Sequence, residues 1–548
     1  MQNFLSDEKA REIGLKQVLQ KLPTQTPYGK EVKDKIVPFF SQDVQDLRKA
    51  LKDLGVLLEA IEKDYQLLRE LKNLLGDLKD IKGSIYRGKT GEVLNEVEFF
   101  EIKKQVMSME KLRKFLLRGS IGIEAFELLS MEDLLKKLDP ENTGIETFYI
   151  YDAYSEKLTA IRGKKKEIEG KIFHNNKEAK EDIFKEFAIK PKLNGEIVVL
   201  KEEEELLEKL LTSNKVYQTA ENFKQFIFRI KPSKALKELK AQSEDLKLLE
   251  EEEEFKVRQM LSKTIGDNAS SILENINTIG MIDFMMGKAI LALQIKGVAP
   301  RIVDEPFISI KEGRHIVIEE GLKKQGLKYT PVDVTLKRGV TLITGANMGG
   351  KTITLKMMAL ITAMAQLGLY VPAEEAVIGP VTFIYFSSGD QQSEEKGLST
   401  FGAEIEALNH IVERVEEGGL ILIDELARGT NPLEGYGISR GVLEYLKKKP
   451  SLSVITTHFD GLSNVEGIKH FQIVGLKNVS IATLKEELQQ RKGYRGVLEK
   501  HMDYRLEDRN QQTGPPKDAI MIARLMGLKE EIIEEAQKSI SEREGQRW

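Results

Sequence analysis

The sequence predicts a mainly helical N-terminal region with a small strand-bearing insertion, followed by an α/β domain. Three observations predict it. Upstream of residue 300, apolar residues recur at three- and four-residue spacing, and only two short runs read as strands. From Val298 to about residue 478, β-rich apolar runs alternate with helical patterns, the layout of a layered α/β domain. Within it, Gly345-Ala346-Asn347-Met348-Gly349-Gly350-Lys351-Thr352 lies between a strand-like run at 340–344 and a Met/Ala/Leu-rich helix at 353–367. A glycine, four residues and Gly-Lys-Thr in that strand–loop–helix setting make a phosphate-binding P-loop.

The elements follow in order. Residues 1 to about 130 read as helices. The stretch 47–75 places Leu47, Leu51, Leu54, Leu57, Leu58 and Ile61 on one helix face and breaks near Gly76. Three glycines in 82–91 predict a loop. Residues 95–117 are helical again, and Pro140-Glu141-Asn142-Thr143-Gly144 is a turn cluster. Residues 153–186 form a long charged helix, of the kind that projects from a body or pairs with another helix. Two strands, 196–200 and 225–230, follow. A second charged helix at 235–263 contains the run Glu250 to Glu254, expected to be a solvated face. Arg162, Lys164, Lys165 and Lys166 suggest a phosphate patch, but Glu167 and Glu169 follow at once, so a solvated face is expected there too. The Met-rich run 281–293 reads as packed core. Beyond Gly514-Pro515-Pro516, two short helices broken at Gly527 complete the chain.

With 548 residues, three or four domains are expected. A hydrophobic share of 41% and a charged share of 31% fit a soluble chain with room for cores. The net charge of −4 gives no global attraction to nucleic acid, so any such contact needs a local basic patch. The absence of Cys excludes disulfides and thiolate metal sites and fits a reducing cytoplasm. The start of the chain has neither a basic nor an apolar leader region, and no run approaches the roughly 20 apolar residues of a membrane span. A cytoplasmic protein with no membrane partner is expected.

The candidate chemistry centres on ATP and Mg²⁺. Glycines let backbone N–H groups curl around phosphate oxygens, and the helix N-terminus adds partial positive charge. Gly345, Asn347, Met348, Gly349, Gly350, Lys351, Thr352 and Ile353 are the candidate phosphate-binding residues. Lys351 would reach the β- and γ-phosphates, and the Thr352 hydroxyl would ligate Mg²⁺. Leu420-Ile421-Leu422-Ile423-Asp424-Glu425 is an apolar strand ending in two carboxylates. Asp424 would hold the metal shell and Glu425 would polarise the attacking water. Val454-Ile455-Thr456-Thr457-His458 is a further strand whose terminal His458 could sense the γ-phosphate. Ser399 and Thr400 open a helix in Leu398-Ser399-Thr400-Phe401-Gly402-Ala403-Glu404, where such residues commonly cap.

These four segments in this order resemble the MutS family of ABC-type ATPases. Ala346 and Thr352 stand where the family P-loop usually has Pro and Ser. Ser399-Thr400-Phe401 is similar to the family's signature, Asp424-Glu425-Leu426-Ala427-Arg428-Gly429-Thr430 to its acidic segment, and Thr457-His458 to its Thr-His element. Gln366-Leu367-Gly368-Leu369-Tyr370-Val371-Pro372-Ala373 resembles the helix exit after the P-loop. The closer resemblance is to the second bacterial subfamily, whose full-length members carry a C-terminal Smr nuclease domain. Gly389-Asp390-Gln391-Gln392-Ser393, Asn431-Pro432-Leu433-Glu434-Gly435 and Thr26-Pro27-Tyr28-Gly29-Lys30-Glu31 carry it. No counterpart of the family's mismatch-reading domain, of the Smr domain, or of the subfamily's glycine-rich clamp segment is expected. The strings Phe99-Phe100-Glu101 and Phe184-Lys185-Glu186 lie in helical patterns and read as helix packing rather than a mismatch wedge.

The resemblance implies an ABC-type ATPase domain at 301–548, ending in a helical dimer-contact segment. It is preceded by a helical core at 1–150, a long arm with a clamp-like insertion at 151–265, and a return helix at 266–300. It implies a site shared by two subunits, in a dimer with a second copy as the expected partner. One subunit brings Lys351, Thr352, Asp424, Glu425 and His458, and the other brings Ser399 and Thr400. Tyr329 matches the position that stacks on adenine, although Val332 replaces the Asn that follows in the family. ATP would then drive a helical clamp that binds DNA structure rather than reading mismatches. The alternative client is a protein, because some short MutS-like ATPases resemble reactivating factors for a cobalamin-dependent lysine aminomutase.

Overall fold

The computed structural model describes residues 3–119, 121–345, 350–388, 400–427, 430–459, 461–475, 502–509, 520, 523–524 and 526–545. The chain divides into two compact units, one of Asp77–Arg118 with Leu128–Asn277, the other of Met1–Gly76, Gly119–Glu127 and Thr278–Trp548.

The unit formed by Asp77–Arg118 and Leu128–Asn277 is mainly helical. Lys82–Lys89 is a helix and not the loop its glycines predict. Packing explains the difference. Gly88 faces the helix Lys234–Asp267, where a Cβ on Gly266 would sit 2.5 Å from the Gly88 carbonyl oxygen. These glycines let two helix backbones touch. The long helix Glu156–Phe187 runs beside Lys234–Asp267. Arg162 donates to Glu250 at 3.0 Å and to Glu254 at 2.7 Å, and Lys165 donates to Glu250 at 2.5 Å. The Glu250 to Glu254 run is therefore partly an ionic seam between helices rather than a wholly solvated face. Arg162 and Lys165 are held in that seam, while Lys164 and Lys166 face solvent. The Arg162 guanidinium is held well above its ordinary pKa despite burial, by the carboxylates of Asp152, Glu250 and Glu254.

In chain order, an antiparallel sheet of β1 (Glu196–Leu200), β2 (Val216–Glu221) and β3 (Gln225–Ile230), arranged β1-β3-β2, comes between the long helices. Strand β2 and the helix Glu204–Thr212 are not anticipated in the sequence. Only Val216 of β2 is buried, so that strand carries no alternating signal. Ile183, Phe187, Ile197, Leu210 and Phe228 give the insertion a core of its own. Phe99 is packed inside the helix Glu96–Gly119 as expected, whereas Phe184 is helical but 53% exposed.

The other unit holds two sheets among the described residues. The four-stranded one contains β4 (Arg301–Ile302), β5 (Ile308–Gly313), β6 (Val332–Leu336) and β8 (Glu375–Ile378), in the order β4-β8-β5-β6. The six-stranded one contains β7 (Gly339–Thr344), β9 (Ile384–Ser387), β10 (Leu420–Ile423), β11 (Leu452–Thr457), β12 (Lys469–Gly475) and β13 (Asp503–Asp508), in the order β13-β12-β7-β11-β10-β9. All neighbours in it are parallel except β12 and β13. The helix Lys351–Gln366 is apolar on nearly every side and buried, as a helix at the centre of a core must be.

The first residues of the chain belong to this body. The Ile384 N–H donates to the Phe4 carbonyl, and the Gln366 amide donates to the carbonyls of Phe39 and Val381. The predicted helix at 47–75 is two helices, Val44–Lys63 and Tyr65–Gly76, broken at Asp64, whose carboxylate accepts from the Gln66 N–H. Asp283, fully buried, accepts from the N–H groups of Gln25 and Thr26 and from the Thr26 hydroxyl. A Cβ on Gly29 would meet its carboxylate at 2.1 Å. Burial pushes the Asp283 carboxyl up in pKa against these hydrogen bonds. Asp283 lies on the helix Ala269–Ile295, which by length and composition is apolar enough to cross a membrane. This differs from the expectation that no run approaches a membrane span. Since 67% of its most apolar window is buried inside the protein, it has the character of a core helix. Glu530–Gly545 is helical, and 517–519, 521–522 and 525 lie outside the described residues.

Candidate functional site

The site lies beyond the carboxyl ends of four parallel strands, where open α/β sheets place their ligands. Strand β7 delivers Gly345, β9 delivers Ser387, β10 delivers Asp424, and β11 ends in Thr456 and Thr457. Because β11 lies between β7 and β10, the glycine-loop strand and the carboxylate strand are not neighbours.

Gly345 has φ 155° and Gly350 has φ 88°, the latter a left-handed value that favours glycine. Gly350 begins the helix Lys351–Gln366, whose first N–H groups have no side-chain cap. Such an end favours an anion. Lys351 is buried, with Nζ 2.9 Å from the Gly345 carbonyl oxygen and 3.5 Å from Glu425 Oε1. The Thr352 hydroxyl donates to Asp424 Oδ2 in a short contact. Asp424 Oδ1 accepts from Thr456 Oγ1 at 2.6 Å, and the Asp424 N–H donates to the Ser387 carbonyl. The same Thr456 oxygen accepts the Glu425 N–H at 2.9 Å. Glu425 and Ala427 have φ of 55° and 61°, left-handed values that non-glycine residues rarely adopt.

The structure thus brings Gly345, Gly350, Lys351, Thr352, Asp424 and Glu425 together. Ile353 is half-buried in the first turn of the helix. His458 follows β11, is exposed, and has its ring 4.6 Å from that of Phe459. Tyr329 is 8% exposed in the segment before β6, and burial pushes its hydroxyl up to about 12. Asn347, Met348, Gly349 and Ser399 lie outside the described residues. Thr400 is the first residue of the helix Thr400–Arg414.

Three residues near the site are not among the sequence candidates. Thr456, fully buried, touches both carboxylate-strand residues. Glu404, one helical turn into Thr400–Arg414, accepts from the Ala427 N–H at 2.5 Å, and burial raises its pKa. Tyr504 of β13 lies against Gly350, where a Cβ would come within 2.9 Å of its ring. The only available hint was for Thr456, a hydroxyl directly before the Thr457-His458 pair.

The donor set fits Mg²⁺ with a nucleotide. Thr352 and Asp424 bring two hard oxygens into contact, and Mg²⁺ commonly takes one or two protein oxygens together with phosphate and water. The uncapped helix end and buried Lys351 fit the phosphates.

Comparison with known proteins points to one family. Residues 341–544 match the family described as MutS domain V. The chain is similar to a protein named endonuclease MutS2 from Caldanaerobacter subterraneus subsp. tengcongensis, with 28% identity covering 93% of this chain and 63% of the relative. It is 30% identical to one of the same name from Carboxydothermus hydrogenoformans, covering 91% and 58%. A third, from Brevibacillus brevis, is 26% identical, covering 95% and 63%. The chain thus spans between 58% and 63% of the length of these three relatives. All three are named for an endonuclease, not for the reactivation of an aminomutase.

Proposed function

We propose that this chain, a mixed helical and α/β protein with a MutS domain V, is a Mg²⁺-dependent ATP hydrolase of the MutS family that works as a dimer on DNA. The observation that carries the hydrolase is the linked set Lys351, Thr352, Asp424 and Glu425 at the strand ends. Mg²⁺ held by Thr352 and Asp424 would offset the charge of the phosphates. The chain's own residues do the rest. Lys351 and the helix N-terminus bind the phosphates, Thr352 and Asp424 hold the metal shell, and Glu425 takes the proton of the attacking water. Lys351 Nζ beside the Gly345 carbonyl and Glu425 keeps a cation in the place the phosphates will occupy. The DNA partner rests on the relatives' name. Their endonuclease activity is not carried over, because about two fifths of their length lies outside the match.

Two measurements test this. Lys351→Ala is expected to lower steady-state ATPase turnover by about 10² or more, and Glu425→Gln to do the same while keeping ATP affinity. Wild-type turnover in either purified variant refutes the assigned role. DNA affinity, measured by gel shift, is expected to fall about tenfold or more between roughly 50 and 200 mM salt, because phosphate contacts release counterions. A salt-independent or undetectable shift argues for a protein client instead.

A further inference from the structure

We propose that Thr456 is a positioning residue of the hydrolytic site, acting through Asp424 and Glu425. This rests on the ATPase reading above. Strand β11 lies between β7 and β10, so a side chain at its carboxyl end sits beside the carboxylate pair. Thr456 is on that strand, one register step past the last β10–β11 pair, Ile423 with Ile455, and opposite Ile343 of β7. It is fully buried.

Its hydroxyl has two tasks at once. As donor, it binds Asp424 Oδ1 at 2.6 Å, while Thr352 binds Oδ2, so each carboxylate oxygen has a fixed partner. As acceptor, it receives the Glu425 N–H at 2.9 Å. Glu425 is in the left-handed region at φ 55°, where a residue with a Cβ is held only by its surroundings. That conformation sets the direction in which the Glu425 carboxylate leaves the backbone, toward Lys351 Nζ at 3.5 Å. A side chain must both donate and accept at this position. Serine meets the requirement, valine has the same shape but meets neither half, and alanine lacks the hydroxyl altogether.

The experiment compares Thr456→Val and Thr456→Ser in the full chain. For Thr456→Val the expected result is a fall in kcat of about tenfold or more, since small misplacement of reacting groups is costly. ATP affinity measured without Mg²⁺ stays within about twofold, because the phosphate loop is untouched, and the Mg²⁺ concentration for half-maximal turnover rises several-fold. Thr456→Ser retains most of the wild-type kcat. A readout independent of turnover is hydrogen exchange in the nucleotide-free protein, where the peptide covering 424–427 exchanges faster in Thr456→Val and at the wild-type rate in Thr456→Ser. If Thr456→Val does not fold, as judged by its melting transition, Thr456→Ala removes the same hydroxyl without pressing a methyl on the carboxylate. Wild-type kcat and Mg²⁺ dependence in the variant lacking the hydroxyl overturn the proposal, as does a serine variant as impaired as the valine one. Should wild-type protein show no ATPase activity, the ATPase reading fails, and the exchange data still decide whether Thr456 holds Glu425.

Discussion

His315 is held as a neutral ring by two hydrogen bonds that only one tautomer can make together. Its Nε2–H donates to the Ile13 carbonyl at 3.1 Å, and its Nδ1 accepts the Ile318 N–H at 3.4 Å. Burial lowers its pKa to about 4 from 6.5. A second proton would have to displace the Ile318 N–H inside the core. Since the folded pKa is depressed, the unfolded chain binds more protons in acid. The stabilisation is therefore complete above about pH 6.5 and is lost as pH falls toward 4, by about 3 kcal/mol in all. Urea denaturation of wild type and His315→Gln across that range checks this. The difference between the two is expected to shrink steadily on acidification, whereas a constant difference would mean that His315 does not titrate with folding.

At the scale of elements, glycine carries opposite meanings in this chain. In the glycine loop it allows backbone angles that other residues resist. In the helix Lys82–Lys89 it allows close approach instead, and there a loop forecast based on glycine content fails. Close approach makes a paired prediction. Gly266→Ala would press a methyl on the Gly88 carbonyl and is expected to destabilise by about 1–3 kcal/mol. Gly83→Ala, with nothing within 4 Å of its Cβ, is expected to be neutral or to stabilise by up to about 1 kcal/mol through helix propensity. Thermal melts of both decide it, and equal effects would refute the packing account. The ionic seam of Arg162 and Lys165 with Glu250 and Glu254 gives the same lesson for charge. A run of like charge looks solvated along one helix and becomes a partner once a second helix lies beside it.

At the scale of the whole molecule, the site read from one chain is proposed to be completed by another. If Ser399 and Thr400 act across a dimer, a subunit carrying Ser399→Ala and Thr400→Ala mixed with a Lys351→Ala subunit should recover activity. Each mixed dimer then holds one site with an intact glycine loop facing an intact signature helix, and one site with both defects. Up to about half the wild-type rate is expected if sites fire independently, and less if they are coupled. Heterodimers are isolated with two tags before the assay. No recovery in proven heterodimers would mean that the signature works within its own chain or that both sites must fire together.

Much of the site was legible because its parts are local. A glycine loop between a strand and a helix, and a strand ending in Asp424-Glu425, are complete within eight or so consecutive residues, so Lys351, Thr352, Asp424 and Glu425 are legible as candidates in the sequence. The α/β alternation was legible for the same reason: period and turn chemistry are properties of a short window. What joins those parts is not local. That β11 separates β7 from β10 follows from strand order, which no window encodes, and only that order places the Thr456 hydroxyl between Asp424 and the Glu425 N–H. Glu404 meeting Ala427, Tyr504 covering Gly350 and Asp283 pinning Thr26 likewise join residues far apart in the chain. The sequence by itself determined which chemical groups are present and which local turns present them. The tertiary structure alone decided their partners, because burial makes each unpaired polar group costly and only the packed fold determines which distant group satisfies it.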